Sequence, residues 1–152
     1  GLRESASKKF PLHASTLLAF DIFIGNIDRD SNLKVDMKRP GMQFFSFFDH
    51  SHCLLDCNLD VEVSLRELGS NDLILNEHPF IMTAGVTFSQ TMKVAERISK
   101  LPEEVIVNSC VFGEKFRCVT VDQQERLADS LLQRRKVLPK IIRDNKHNLF
   151  SL

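Results

Sequence analysis

One run that is apolar on nearly every face of a helix constrains this chain more than any other feature. Within residues 13–24, Leu17, Leu18, Phe20, Ile22, Phe23 and Ile24 leave almost no face for solvent. A helix that is hydrophobic all round has to be covered by other elements. Gly25-Asn26 follows directly and supplies common helix-stop chemistry. The fold is therefore expected to be assembled around this helix. Asp21 lies inside it, and a buried carboxylate needs partners. Two readings of Asp21 stand open: it braces the loop that follows, or it faces a polar gap.

That loop reads Gly25-Asn26-Ile27-Asp28-Arg29-Asp30-Ser31-Asn32. Leu33-Lys34-Val35-Asp36 then alternates apolar and polar as a short strand does. Lys38-Arg39-Pro40-Gly41 is a turn signal. Residues 42–48 form a second predicted strand, rich in Phe, which ends in the motif Phe47-Phe48-Asp49-His50. A hairpin flanked by two acidic motifs brings its flanks together. An Asp and an Asn on one loop, facing an Asp on the next, can hold Mg²⁺ against nucleotide phosphates.

Residues 20–54 resemble the catalytic segment of HipA-like kinases and the related phosphatidylinositol 3- and 4-kinases. The residues that carry the resemblance are Asn26-x-Asp28-Arg29-x-x-Asn32 and Phe48-Asp49-His50-Ser51. The resemblance implies ATP- and Mg²⁺-dependent transfer of phosphate to a hydroxyl on a protein Ser/Thr or a small molecule. It makes Asp28 the catalytic aspartate, with Asn32 and Asp49 as metal ligands. Asn26, Arg29 and His50 are then expected around the nucleotide. The step from Asp28 to Asn32 is one residue shorter than in those kinases, and two readings stand open: the loop is one residue tighter, or Asp30 shares the metal role. Such kinases clamp ATP between two lobes, with a glycine-rich loop and a strand lysine in the first. Residues 1–12 contain neither, and Lys8 and Lys9 sit on no strand pattern. The chain is thus expected to act as a C-terminal lobe that pairs with an N-terminal lobe or a separate subunit. The rival expectation is a non-catalytic, kinase-derived helical module that binds another protein.

Other chemistries fit less well. Asp28, Asp30, Asn32 and Asp36 fall at positions 1, 3, 5 and 9 of a calcium loop. Leu33 and Arg39, however, stand where Gly and Glu are required. His50, His52, Cys53 and Cys57 follow no strong zinc spacing. Asp and Asn after a helix also cap turns by bonding local amides, and only the second motif across the hairpin argues against that plainer role.

Elsewhere helical signals dominate. Ser64-Leu65-Arg66-Glu67 has the capping-box pattern, and Gly69 closes that short helix. Residues 72–82 are ambiguous, because His78-Pro79 disfavours continuous helix. Phe88, Met92, Ala95 and Ile98 share one helical stripe. Pro102-Glu103-Glu104 opens a helix through about residue 109. A last helix begins near Asp122 and buries Leu127, Leu131, Leu138 and Ile142, with a kink or break predicted at Pro139. Its Arg134-Arg135-Lys136 run is expected to be a solvated face, although Arg134-Arg135 also resembles the closing helix of HipA-like lobes. The fold class expected is α+β, mainly α. Residues 1–12 are expected to be a disordered or linker remnant, and 13–152 one kinase C-lobe-like domain.

Composition narrows the partners. Lys+Arg and Asp+Glu both number 20 in 152 residues, so no global charge draws the chain to nucleic acid or anionic membrane. Twelve Phe stand beside no Trp and no Tyr, so aromatic rings are expected mainly in the core. The Phe44–Phe48 run is the exception to watch: part of it is where a missing lobe would leave an apolar patch. No apolar stretch is long enough to span a membrane. The start resembles no signal peptide, and its lack of Met suggests a processed, tagged or truncated product. Four cysteines in a chain with an ample core are expected as reduced thiols in a cytoplasmic protein.

Overall fold

The structure, a computed structural model, describes residues 1–36 and 44–151. The turn expected at 38–41 and the first residues of the second strand lie outside them. The elements are α1 (Leu2–Lys9), α2 (Pro11–Ile24), β1 (Leu33–Asp36), β2 (Phe44–Phe47), a 3₁₀ turn (Leu54–Asp56), α3 (Val61–Leu68), α4 (Phe88–Ser99), α5 (Glu103–Cys110), α6 (Val121–Asp144) and α7 (Lys146–Leu149). The class is α+β and mainly α. Among the described residues, no helix is long and apolar enough to cross a membrane.

Helix α2 is the hub. Pro11 starts it at a position where a missing N–H costs nothing. Ala14, Leu18, Ala19 and Ile22 are fully buried, and α4 and α6 pack against the helix. Gly25 ends it in the left-handed region at φ 65°, and its N–H donates to the Asp21 carbonyl. A Cβ at Gly25 would also lie 3.2 Å from the Leu68 side chain and 3.3 Å from that of Cys57. Glycine therefore meets both a conformational and a spatial demand here.

The hairpin forms in the expected place. β1 and β2 pair antiparallel, with Leu33 opposite Phe47 and Val35 opposite Phe45. Phe45 stacks on Phe80 with ring centroids 5.9 Å apart. Phe47 and Phe48 remain 45% and 38% exposed, so the Phe run is not all core.

Four expectations need correction. Residues 1–12 are not a loose remnant, because α1 packs on α2 with Ala6 and Ser7 buried. Contacts that hold it include Ala84 N–H donating to Glu4 Oε2 at 3.1 Å and Gly85 N–H to Ser7 Oγ at 3.2 Å. Helix α3 is capped by Asp60, whose carboxylate accepts from Val63 N–H at 3.0 Å. Ser64 lies a turn further in, fully buried, and its hydroxyl instead pairs with the Asn58 backbone. Pro139 does not break α6. Leu138, Ile141 and Ile142 around it are fully buried, and their burial outweighs one lost backbone hydrogen bond.

The fourth correction is Arg134, which is buried rather than solvated. Its Nε and Nη2 donate to the Ile22 carbonyl at 3.1 and 2.9 Å. Nη1 and Nη2 each reach the Asp72 carbonyl at 3.3 Å. The Ile22 carbonyl belongs to the last turn of α2, where no helical N–H is left to satisfy it. Burial pushes the guanidinium down to about 10, so it still carries charge at neutral pH. α6 thereby pins the C-terminal end of α2, the point from which the acidic loop departs.

Two outcomes follow for denaturant unfolding. Gly85→Ala places a Cβ 2.1 Å from the Ser7 backbone. It should cost roughly 1–3 kcal/mol, with faster amide exchange in α1. Arg134→Met should cost roughly 1–3 kcal/mol, because it leaves the buried Ile22 carbonyl unsatisfied.

Candidate functional site

Asp21 has its answer in the loop it precedes. Arg29 donates from Nε to Asp21 Oδ2 at 2.7 Å and from Nη2 to Oδ1 at 3.0 Å. Asn26 Nδ2 donates to Oδ1 at 3.0 Å, and His78 Nε2 lies 3.1 Å from Oδ2. All four side chains are buried, with Asp21 and Arg29 at 0% exposure. Phe80 N–H donates to His78 Nδ1 at 3.2 Å, so Nε2 carries the proton that faces Asp21. Burial alone would raise the Asp21 carboxyl. Hydrogen bonds from His78 and Arg29 outweigh that and hold it below the usual carboxylate range. His78 is pushed below the usual imidazole value by burial, against the opposing pull of Asp21. It sits neutral beside an intact Asp21–Arg29 ion pair.

Arg29 also ties the two acidic loops together. Its Nη1 donates to the Asn32 carbonyl at 3.0 Å and to the Phe48 carbonyl at 2.9 Å. Phe48 N–H donates to the Asn32 carbonyl at 3.2 Å, and Ile27 N–H to the His52 carbonyl at 3.1 Å. The exposed Phe47 ring lies 5.6 Å from the Arg29 guanidinium. The loop after α2 and the loop after β2 are thus joined on either side of the buried ion pair.

The expected site residues divide around this clamp. Asp28 is half-buried on its outer side, and its backbone N–H donates to Asn26 Oδ1 at 3.0 Å. Asn32 Nδ2 donates to the Asp28 carbonyl at 2.8 Å and to Asp28 Oδ2 at 3.1 Å. Asp49 is exposed on the facing loop, at φ 49°, a left-handed conformation that Asp tolerates better than most residues. Its Oδ1 accepts from Ser51 N–H at 3.0 Å. Hydrogen bonds from Ser51, side chain then backbone, keep its carboxyl below the usual range.

The remaining four take other places. Asn26 and Arg29, expected beside a nucleotide, are interior residues whose polar atoms hold the loop. Asp30, expected to share a metal, forms an ion pair with Arg3 of α1. His50 is half-buried, with its ring edge-on to Phe20 and Phe47 at centroid distances of 6.3 and 5.9 Å. Burial, and then the nearby Arg29 charge, hold its imidazole below the usual value.

Sequence reasoning anticipated that Asp21 needs partners but did not find His78. That residue is 57 positions away and follows no motif spacing. Cys53, Cys57 and Cys110 behave as small buried side chains, whereas Cys118 is exposed. Cys53 donates to the His50 carbonyl at 2.9 Å, and burial pushes its thiol up to about 12. Burial also raises Cys57 and Cys110.

Among the described residues, no three His, Cys, Asp or Glu side chains converge as a self-sufficient metal cage. Hard oxygens on Asp28, Asn32 and Asp49 nevertheless suit Mg²⁺, which commonly binds through one or two carboxylates together with substrate phosphates. Compared with known proteins, the chain matches no family model, no curated protein and no solved structure.

The Asp21–His78 contact predicts an acid response. A depressed histidine value means that the unfolded chain binds a proton the native one refuses. This contribution to stability is complete above about pH 6.5, the ordinary value, and is lost as pH falls below it. Asp21, depressed from 3.8, adds a second loss at lower pH with the same sign. Urea midpoints between pH 8 and 5 should fall in the wild type. In His78→Gln they should start lower and change less over that interval.

Proposed function

We propose that this chain is the catalytic half of an ATP- and Mg²⁺-dependent phosphotransferase of the HipA-like and phosphatidylinositol-kinase-like type. What carries the reading is the Arg29 clamp, which joins the Asp28–Asn32 loop to the loop bearing Asp49. Phosphoryl transfer asks little covalent chemistry of a protein; it asks for oxygens held in place.

In this reading Asp28 orients the acceptor hydroxyl. Asn32 spends its amide N–H groups on the Asp28 carbonyl and carboxylate. Its side-chain oxygen is then the atom it offers to a cation. Asp49 has one oxygen fixed by the Ser51 backbone and offers the other. The cation, when bound, neutralises charge on the phosphates and is shared between them and these side chains. Asn26 and Arg29 hold the loops that present these groups and do not themselves touch nucleotide. His50 lines the approach beside Asp49. The phosphate-covering loop and strand lysine of such kinases would come from an N-terminal lobe or a separate subunit. The acceptor is a hydroxyl on a protein or a small molecule.

Calorimetric titration of ATP, with and without Mg²⁺, tests the reading on this chain and on any longer product that contains it. Binding should require Mg²⁺ and be lost in Asp49→Ala. Where transfer is measurable, Asp28→Asn should slow it roughly 10²–10⁴-fold with little change in ATP affinity. Mg²⁺-ATP binding that persists unchanged in Asp49→Ala contradicts the assignment. A longer product that binds no nucleotide at all supports the non-catalytic binding module instead.

A further inference from the structure

A second concave site borders the acidic loops, between α2, β2 and α4, and shares Phe20 and Phe47 with the surroundings of His50. It is a groove of about 580 Å³, within the roughly 300–1,000 Å³ usual for small-molecule sites. Leu17, Phe20, Phe45 and Ile98 make its apolar walls. Leu12 and Phe47 also line it and stay 60% and 45% exposed, a large apolar exposure for one patch. Its polar contributions are few: the Thr16 hydroxyl, His13 and Arg97. His13 is held edge-on to Phe10 and tilted against Phe45, at centroid distances of 5.9 and 5.5 Å. Among the described residues, no carboxylate lines the groove. Arg97 is exposed in the last turn of α4 and, among the described residues, has no ion-pair partner.

Apolar walls, one unpaired cation and no acid define what complements this groove. We propose that it binds a small amphiphile with an aliphatic body and a carboxylate head, the head pairing with Arg97. The apolar body takes Leu12 and Phe47 out of water, and each buried methylene contributes about 0.8 kcal/mol. A guanidinium suits a carboxylate because its fork can donate two parallel hydrogen bonds. The volume favours such a ligand over a docked protein helix, which needs a longer apolar face. This inference does not rest on the phosphotransferase reading: its ligand is no nucleotide, and none of Asp28, Asn32 and Asp49 lines the groove.

Calorimetric titration with decanoate, below its micelle concentration, and with uncharged 1-decanol tests it. One decanoate should bind per chain. Arg97→Gln should weaken decanoate about tenfold or more while changing decanol by less than about threefold. Val94→Trp should fill the groove and abolish both, with circular dichroism melting to confirm the fold. Leu12→Asp, at an exposed lip, should reject decanoate by like charge even if the tryptophan variant does not fold. Absence of saturable binding, several decanoates per chain, or unchanged affinity in Arg97→Gln overturns the proposal. So does binding of an acidic amphipathic helical peptide without binding of decanoate, which would make the groove a protein-docking face.

Discussion

The buried ion pair between Asp21 and Arg29 organises this molecule. A charge inside an apolar helix is costly unless its partner and its hydrogen bonds are complete. Here they are: both carboxylate oxygens receive two donors each, from Arg29, Asn26 and His78. Such a pair is weak evidence for stability, since an apolar replacement of the same shape is often no worse. Its consequence is geometric. Arg29 can present Nη1 to the Asn32 and Phe48 carbonyls only because Asp21 fixes the other edge of the guanidinium. Two loops separated by a hairpin thereby share one anchor.

A second arginine does related work from the opposite side. Arg134 satisfies the Ile22 carbonyl one residue beyond Asp21 and reaches Asp72 as well. The end of α2 is therefore held by α6 through a charge-assisted bond and by its own loop through the Asp21 network. Segment 72–82, with little regular structure, is held at Asp72 by Arg134, at His78 by Asp21 and at Met82 by the Leu149 carbonyl. Rigidity at this point suits the proposed phosphotransferase reading, in which two loops present Asp28, Asn32 and Asp49, because catalytic groups on a loose base lose their alignment.

Much of the fold was legible because its signals are local. The all-round apolar helix, its glycine stop, strand β1 and the stripe of α4 depend on residues near one another in the chain. The errors also share a cause. α1 reads as polar and frayed because its hold comes from Ala84 and Gly85, far away in sequence. Arg134 reads as a solvated face because no local pattern says that a carbonyl from α2 awaits it. Pro139 reads as a break because the burial that offsets its cost comes from packing against other helices. At the two loops, the motif pair set the expectation for Asp28, Asn32 and Asp49. It misjudged Asn26 and Arg29 because a motif records residue types, not whether they face inward.

By itself, the sequence determined a buried central helix, a mainly helical α+β chain with one hairpin, and two acidic motifs at that hairpin's ends. Periodicity and stop chemistry are properties of neighbouring residues, and they survive in one dimension. Only the tertiary structure decided which polar side chains are interior. It made Asp21, Arg29 and His78 one network, paired Asp30 with Arg3, and left an apolar groove beside Arg97. Hydrogen bonds and ion pairs form across space between residues up to 112 positions apart, and the chain order alone does not encode which of them will meet.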